Sequence, residues 1–377
     1  MKNIFKLIGI IAIVAVIGFS FAVCNNGDDN GGGGDTGGGN VSSLLHTEGN
    51  KIINEEGEEV RLFGVNICSL EWSSKGENVI ASTREAFKNW NCNLVRLPLS
   101  QDRWFCKILD DFSTPNPPDG GAEYRKIVND VINIASSSGK YVILDLHWSN
   151  AGEWGKNPDG YCMPNDKSLE FWVDVAKRYS NNSAVLFGLY NEPHDITWEV
   201  WKNGGTVKET KNEGTPDEKK FTYHTPGHKK IVDEIRALGA NNIIVAGGVD
   251  WGYDLSGIAS SYALKDTPEG NGIVYDSHIY PWKGLDITTH DTKVLCIADK
   301  YPILVGEIGI DPDGEWGASG HPSWLRDMLD WMDNNKLNWT AWCFHPAASP
   351  CMISDWRYTP TEYHGAIVKQ RLLSYSR

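Results

Sequence analysis

Eight short apolar runs, separated by stretches of helical period, constrain this chain more than any other feature. They cover residues 62–66, 93–99, 141–147, 184–190, 242–247, 273–278, 303–306 and 338–344. The runs are continuous rather than alternating, the pattern of strands buried on both faces of a parallel sheet. Between most of them lie amphipathic segments, such as 123–137, 168–179, 226–238 and 322–334, with apolar residues three and four apart. This order predicts a single-domain α/β fold, a (β/α)8 barrel, with a doubly wound open sheet as the alternative. No Gly-x-Gly-x-x-Gly or phosphate loop follows a strand, which weighs against the open sheet. A β-hairpin over 45–60, turning at Asn54-Glu55-Glu56-Gly57, is expected before the first strand.

The segment ahead of the barrel has a different character. Lys2 and Lys6 precede an uncharged stretch over 7–23, the pattern of an export signal. Residues 1–23 are therefore expected to be a signal peptide and the enclosed domain to act outside the cytoplasm, secreted or at the cell surface. Ser20 and Ala22 offer a small-x-small cleavage site, whereas Cys24 after Phe21-Ala22-Val23 resembles a loose lipoprotein box, so both a free and a lipid-anchored form stay open. Positions 25–40 hold eight Gly, four Asn, three Asp and one Thr, with nothing to bury. Residues 24–43 thus read as a flexible tether and 44–377 as the catalytic domain.

Composition narrows the partners. Lys and Arg total 35 against 49 Asp and Glu, a formal charge of −14 at pH 7, which repels phosphate backbones and argues against nucleic acid. Sixteen Trp and fourteen Tyr suit a neutral, hydroxyl-rich ligand such as a sugar. No protein partner is implied, and a monomer is expected.

Polar residues gather where the strands end: Arg96 on the second, Asp145 and His147 on the third, Asn191-Glu192-Pro193 on the fourth, His278 and Tyr280 on the sixth, Glu307 on the seventh and Trp342 on the eighth. In a barrel these ends form one rim, where active sites of this fold are built. Cleaving a glycosidic bond needs one carboxylic acid for the leaving oxygen and one carboxylate at the anomeric carbon, and Glu192 and Glu307 are the candidates. Strands four and seven face each other across the barrel, so the two carboxyls can approach to about 5 Å, the spacing of a retaining site.

The strings Leu189-Tyr190-Asn191-Glu192-Pro193-His194, Val95-Arg96-Leu97-Pro98, Leu144-Asp145-Leu146-His147, His278-Ile279-Tyr280 and Gly306-Glu307-Ile308-Gly309 closely resemble the family 5 glycoside hydrolases. Arg96, His147, Asn191, Glu192, His278, Tyr280, Glu307 and Trp342 match the positions that define that family's site. The resemblance spans about 44–356. Trp201-Lys202-Asn203-Gly204-Gly205, Gly239-Ala240-Asn241-Asn242 and Gly248-Val249-Asp250-Trp251 look like its bacterial endo-β-1,4-glucanase branch. The resemblance implies Glu192 as acid/base and Glu307 as nucleophile, acting on β-glucan without a cofactor.

The neighbours then acquire roles. Arg96 and the Tyr280 hydroxyl are expected to hold Glu307 ionised, Asn191 to bind the sugar 2-hydroxyl, and His147 and His278 to bind substrate or orient the carboxylates. Trp342 is expected under the sugar at the cleavage point, with Trp251, Trp72 and Trp148 as further platforms or as barrel packing. His147 and His278 lack the His-x-x-x-His or Cys-x-x-Cys spacing of a metal site, so no metal is expected. Mannan, mixed-linkage glucan and xyloglucan remain alternative substrates, a non-catalytic glycan-binding lipoprotein a more distant reading, and Glu199, Glu315 and the inserted 204–218 segment are candidates for setting specificity. Excluding Cys24, seven cysteines remain. Cys343 with Cys351 and Cys106 with Cys162 are conceivable bridges, and Cys92 reads as a small core residue.

Overall fold

The computed structural model describes residues 42–105, 120–149, 161–180, 182–216, 218–312 and 320–375. The expected signal, most of the tether, Cys24, Cys106 and Glu315 lie outside these residues. None of the helices in the described residues is long and apolar enough to cross a membrane.

Eight parallel strands close into a barrel: β1 (Phe63–Asn66), β2 (Leu94–Ser100), β3 (Tyr141–Trp148), β4 (Val185–Gly188), β5 (Ile244–Gly247), β6 (Ile273–Ile279), β7 (Ile303–Ile308) and β8 (Asn338–Ala341). Neighbours in sequence pair in space, and β8 closes on β1 through Ala341 opposite Val65. All eight expected strands are present, and the open sheet is excluded by the closure.

The helices form as their patterns require. In Pro322–Asn334, proline opens the first turn and the His321 ring accepts the Ser323 N–H. Its buried face runs Trp324, Leu325, Met328, Leu329, Trp331 and Met332, and each such side chain contributes about 1.5–3 kcal/mol on burial. Asp166–Tyr179 starts on a capping box between Asn165 and Ser168. The β5-to-β6 connection has no α-helix in the described residues. It folds instead into a tight rim turn, Gly248 to Asp254, and a single π-helical turn, Ile258–Tyr262.

The N-terminal hairpin differs from its expected form. Its strands are His46–Glu48 and Lys51–Ile53, so the chain reverses at Gly49-Asn50, with Gly49 at φ +59°. Asn54 to Gly57 forms a second turn, stitched by the Asn54 side chain accepting the Glu58 N–H at 2.7 Å. Leu45 and Ile52 of this element pack with Leu94, Ile143, Leu186, Val245, Val274 and Leu304 inside the barrel. The hairpin therefore plugs the N-terminal mouth.

Two residues further along the same strands, the interior changes from apolar to polar. Above Leu94 stands Arg96, above Ile143 stands Asp145, and above Val274 stands Asp276, because a strand repeats its facing every second residue. At the matching position of β7 stands Gly306, where a Cβ would meet the Asp276 carboxylate at 2.4 Å. Its N–H instead donates to Asp276 Oδ1 at 2.7 Å. Absence of a side chain here makes room for the buried charges.

The inserted segment after β4 is a ribbon, Gly205–Lys211 paired antiparallel with Lys219–Thr225. Tyr223 from this ribbon stacks on Tyr161 at 4.5 Å between ring centres. The Tyr223 hydroxyl accepts the Met163 N–H at 3.0 Å, tying the ribbon to the β3-to-β4 connection.

Candidate active site

Glu307, in β7, is held from three sides. Arg96 donates to its Oε1 at 2.8 Å and the Tyr280 hydroxyl to its Oε2 at 2.7 Å. His278 Nδ1 stands 3.7 Å from Oε2. A register shift between β6 and β7 produces this last contact, since Ser277 pairs with Val305 but His278 with Glu307. Such a bulge re-aims a side chain at the end of a strand.

Arg96 is almost fully buried and serves four groups. Besides Glu307 it reaches Asn66 Oδ1 at 3.0 Å, Asn191 Oδ1 at 2.6 Å and Asp145 Oδ2 at 2.9 Å. Burial alone would lower its pKa, but Asp145 and Glu307 outweigh that, so the guanidinium stays charged. Because Arg96 occupies the Asn191 oxygen, the amide NH2 is the group left for a ligand. Breaking such a network by removing one partner would leave a buried charge uncompensated.

Glu192 lies just after β4 and is the more open carboxylate, with 27% of its side chain exposed. Its Oε1 is 2.9 Å from His278 Nδ1. Burial would raise its pKa, yet the hydrogen bond and charge of His278, with smaller effects of His147 and His194, bring it below the usual value. Burial likewise disfavours the His278 cation, but Glu307, Asp276 and Glu192 overcome it and push the ring to about 10. At neutral pH the proton of this pair therefore sits on His278. The ring's Nε2 faces Asp276 Oδ2 at 3.4 Å without a hydrogen bond of its own.

Ligand atoms of Glu192, His278 and Glu307 lie within 4.8 Å of one another. In principle such a triad can hold a cation. Here the Glu307 oxygens already accept from Arg96 and Tyr280, and Glu192 from His278, so the protein's own donors neutralise both carboxylates. The arrangement can instead attack a carbon with one carboxylate while exchanging a proton at the other.

Aromatic rings flank the carboxylates on two arcs. On the β8–β1–β3 arc, Trp342 stacks on His147 at 5.3 Å, and the His147 ring is fixed by Asp145 Oδ2 at 2.9 Å. Trp148 leans against His147, and Trp72 packs with Trp342 on a small buried cluster and donates to Glu77. On the β4–β5–β6 arc, Trp251 is 43% exposed, stacks on His194 and donates its backbone N–H to the Pro193 carbonyl oxygen. It shares a cavity of about 350 Å³ with Glu192, His278, Tyr280, Trp282 and Lys283.

All nine supporting residues read from the sequence thus lie at this rim, though His147 contacts Asp145 and Trp342 rather than a carboxylate of the pair. Trp282, 48% exposed and stacked on Tyr280 at 4.3 Å, was not foreseen. Nor were the supporting roles of Asn66 and Asp276. Asp276 was legible in principle, since it sits two residues before His278 and so shares its facing. The cysteine expectations fare differently. Cys343 and Cys351 are both free, and Cys343 meets Cys68 instead, because the end of β8 runs beside the loop after β1. Cys162 is free, and Cys92 is a buried core residue as expected.

The sequence model described as Cellulase (glycosyl hydrolase family 5) matches residues 53–348. An endoglucanase of Paenibacillus polymyxa is 26% identical over 372 residues, covering 84% of this chain and 84% of the relative. A crystal structure of a β-glucanase from Saccharophagus degradans superposes with a TM-score of 0.68 at 24% identity, over 89% of this chain and 94% of that one. The same enzyme has been solved in complex with cellotetraose.

Proposed function

Because the chain belongs to glycosyl hydrolase family 5 and is a retaining glycoside hydrolase of cellulase type, we propose that it is an endo-acting β-1,4-glucanase in which Glu307 is the nucleophile and Glu192 the acid/base. The observation that carries the pair is its spacing: oxygens of the two carboxylates stand within 4.8 Å. A separation near 5 Å belongs to double displacement, whereas an inverting site needs about 6.5–9.5 Å to seat a water.

In the first step a Glu307 oxygen attacks the anomeric carbon as the bond to the leaving oxygen breaks and that oxygen receives a proton through Glu192. The proton is stored on the His278–Glu192 pair in the free enzyme. Formation of the glycosyl ester cancels the Glu307 charge, which is the strongest influence keeping His278 protonated. The proton consequently moves more readily toward Glu192 as the leaving group departs. In the second step the Glu192 carboxylate removes a proton from water, which attacks the same carbon and releases Glu307. Arg96 and Tyr280 stabilise the carboxylate that is regenerated.

Glu192 opens into the cavity with Trp251 and Trp282, so the leaving portion of the chain lies over the β4–β5–β6 arc. The retained portion lies over Trp342, Trp72 and Trp148. Flat aromatic faces on both sides of the cleavage point suit internal attack on a linear chain. The signal-like pattern over 1–23 supports action outside the cytoplasm.

Reducing-sugar release from carboxymethylcellulose, lichenan and glucomannan under matched conditions tests the substrate. Highest kcat/KM on carboxymethylcellulose is expected. Preference for glucomannan or lichenan would replace the β-1,4-glucan reading while leaving the mechanism in place.

A further inference from the structure

Two thiols lie behind the site and take no part in the reaction. Cys68, in the loop after β1, and Cys343, just beyond β8, place their sulfurs 3.4 Å apart. The Cys68 S–H donates to Cys343 Sγ, and the Cys343 S–H donates to the Ala348 carbonyl at 2.9 Å. Both side chains are buried.

The backbones carrying them are fixed side by side. β1 and β8 pair up to Val65 opposite Ala341, and the Phe344 N–H donating to Asn66 O at 3.0 Å carries the pairing past the strand ends. The Cys343 N–H donates to Pro350 O, and the Met352 N–H to Cys343 O. A disulfide bond is about 2.05 Å long, so closure needs an approach of about 1.4 Å between sulfurs already in contact.

The surroundings disfavour the reactive thiolate form of either cysteine in the packed protein. Burial raises the pKa of both, and the charge of Glu71 adds to this. Glu71 is itself buried, with Oε2 accepting the Ser69 N–H at 2.7 Å and Oε1 lacking a hydrogen-bond partner. In the packed protein both sulfurs are protonated and closed to solvent, hence inert to exchange. A bond between them would therefore have to form while the loop after β1 is still open, and burial would afterwards shield it from reductants.

We propose that Cys68 and Cys343 join as a disulfide that staples the loop after β1 to the end of β8, beneath Trp72 and Trp342. With a small-molecule disulfide RSSR as oxidant, the Cys68 thiolate attacks one sulfur, giving Cys68–S–S–R and RS⁻. The Cys343 thiolate then attacks Cys68 Sγ and expels the second RS⁻. The two protons lost by the cysteines convert both leaving thiolates to RSH, so two thiols are oxidised and one disulfide is reduced. The proposed export of the chain places it where such bonds persist.

The cysteines are 275 residues apart in the chain, so the link restricts most of the unfolded ensemble. A rise in Tm of roughly 5 °C is expected. It also ties together the two segments whose tryptophans pack on the thiols.

The test uses the full chain, refolded either with a mixture of oxidised and reduced glutathione or with dithiothreitol, then alkylated, digested and mapped by mass spectrometry. The glutathione sample should yield a Cys68–Cys343 linked peptide and the higher Tm, and a Cys351→Ser variant should yield the same link. A Cys343–Cys351 peptide, or Cys68 and Cys343 both alkylated after glutathione refolding, overturns the proposal. A linked sample with the same Tm as the reduced one overturns the stapling role.

Discussion

His278 donates from Nδ1 to Glu192 across 2.9 Å, and the ring stays protonated because Glu307, Asp276 and Glu192 surround it with negative charge. Its folded pKa of about 10 lies above the ordinary value of 6.5. The stability tied to this proton is therefore fully present below pH 6.5 and is lost as pH rises toward 10. Nitrogen NMR of the labelled protein should show an imidazolium for His278 at pH 8. A neutral ring at that pH contradicts the charge arrangement described for the pair.

Removing one member of the catalytic pair should separate the two roles. Glu192→Ala is expected to lose about 10²–10⁴-fold in kcat/KM on cello-oligosaccharides. It should lose far less on aryl cellobiosides whose leaving group needs no proton. Added azide should restore turnover and appear in a glycosyl azide product. Equal losses on both substrates with no azide adduct would rule out Glu192 as acid/base.

Glu307→Gln keeps the size of the side chain but cannot form the ester. Arg96 can still donate to the amide oxygen and the Tyr280 hydroxyl can turn to accept from the amide NH2. Arg96 nevertheless loses one of its buried carboxylate partners, so circular dichroism should keep its wild-type shape and Tm should fall while turnover drops to background. Retention of about a tenth or more of the activity would place the nucleophile elsewhere.

Glu71 is buried with one unpartnered oxygen, and burial raises its pKa to about 7, more than the charge of His147 lowers it. A raised carboxyl favours folding when neutral, so its contribution is present below pH 4.5 and is lost as pH rises through 7. Above that, the buried charge costs on the order of 3 kcal/mol. Glu71→Gln should therefore raise Tm relative to wild type at pH 8 and much less at pH 5. An equal change at both values would show that the carboxyl does not titrate in this range.

The barrel was legible because each of its strands is an apolar run long enough to be buried on both sides, and the rim because polar residues follow those runs directly. Asn191 and Glu192 are examples: both come immediately after the fourth run. What escaped was set by contacts distant in sequence or by competing local signals. The Cys68–Cys343 contact joins the first and last strands, and no local pattern reports it. Two turn signals stand within nine residues at Gly49-Asn50 and Asn54 to Gly57, and only packing of Leu45 and Ile52 into the barrel mouth selects the first as the hairpin. The ribbon at 205–225 does alternate, with Val207, Phe221 and Tyr223 on one face, but its charged partners mask the signal. Trp282 carries no pattern of its own, since an exposed ring beside a cleft and one on a plain loop read alike.

The spacing of Glu192 and Glu307 makes a claim that neither residue makes alone. With their oxygens within 4.8 Å, no water fits between Glu307 and the anomeric carbon, and two successive inversions must give net retention. Proton NMR during the first minutes of cellotetraose or cellopentaose hydrolysis reads this directly. The β-anomer of the new reducing end should accumulate first and then mutarotate. An α-anomer appearing first would contradict the double-displacement account even if both glutamates proved essential.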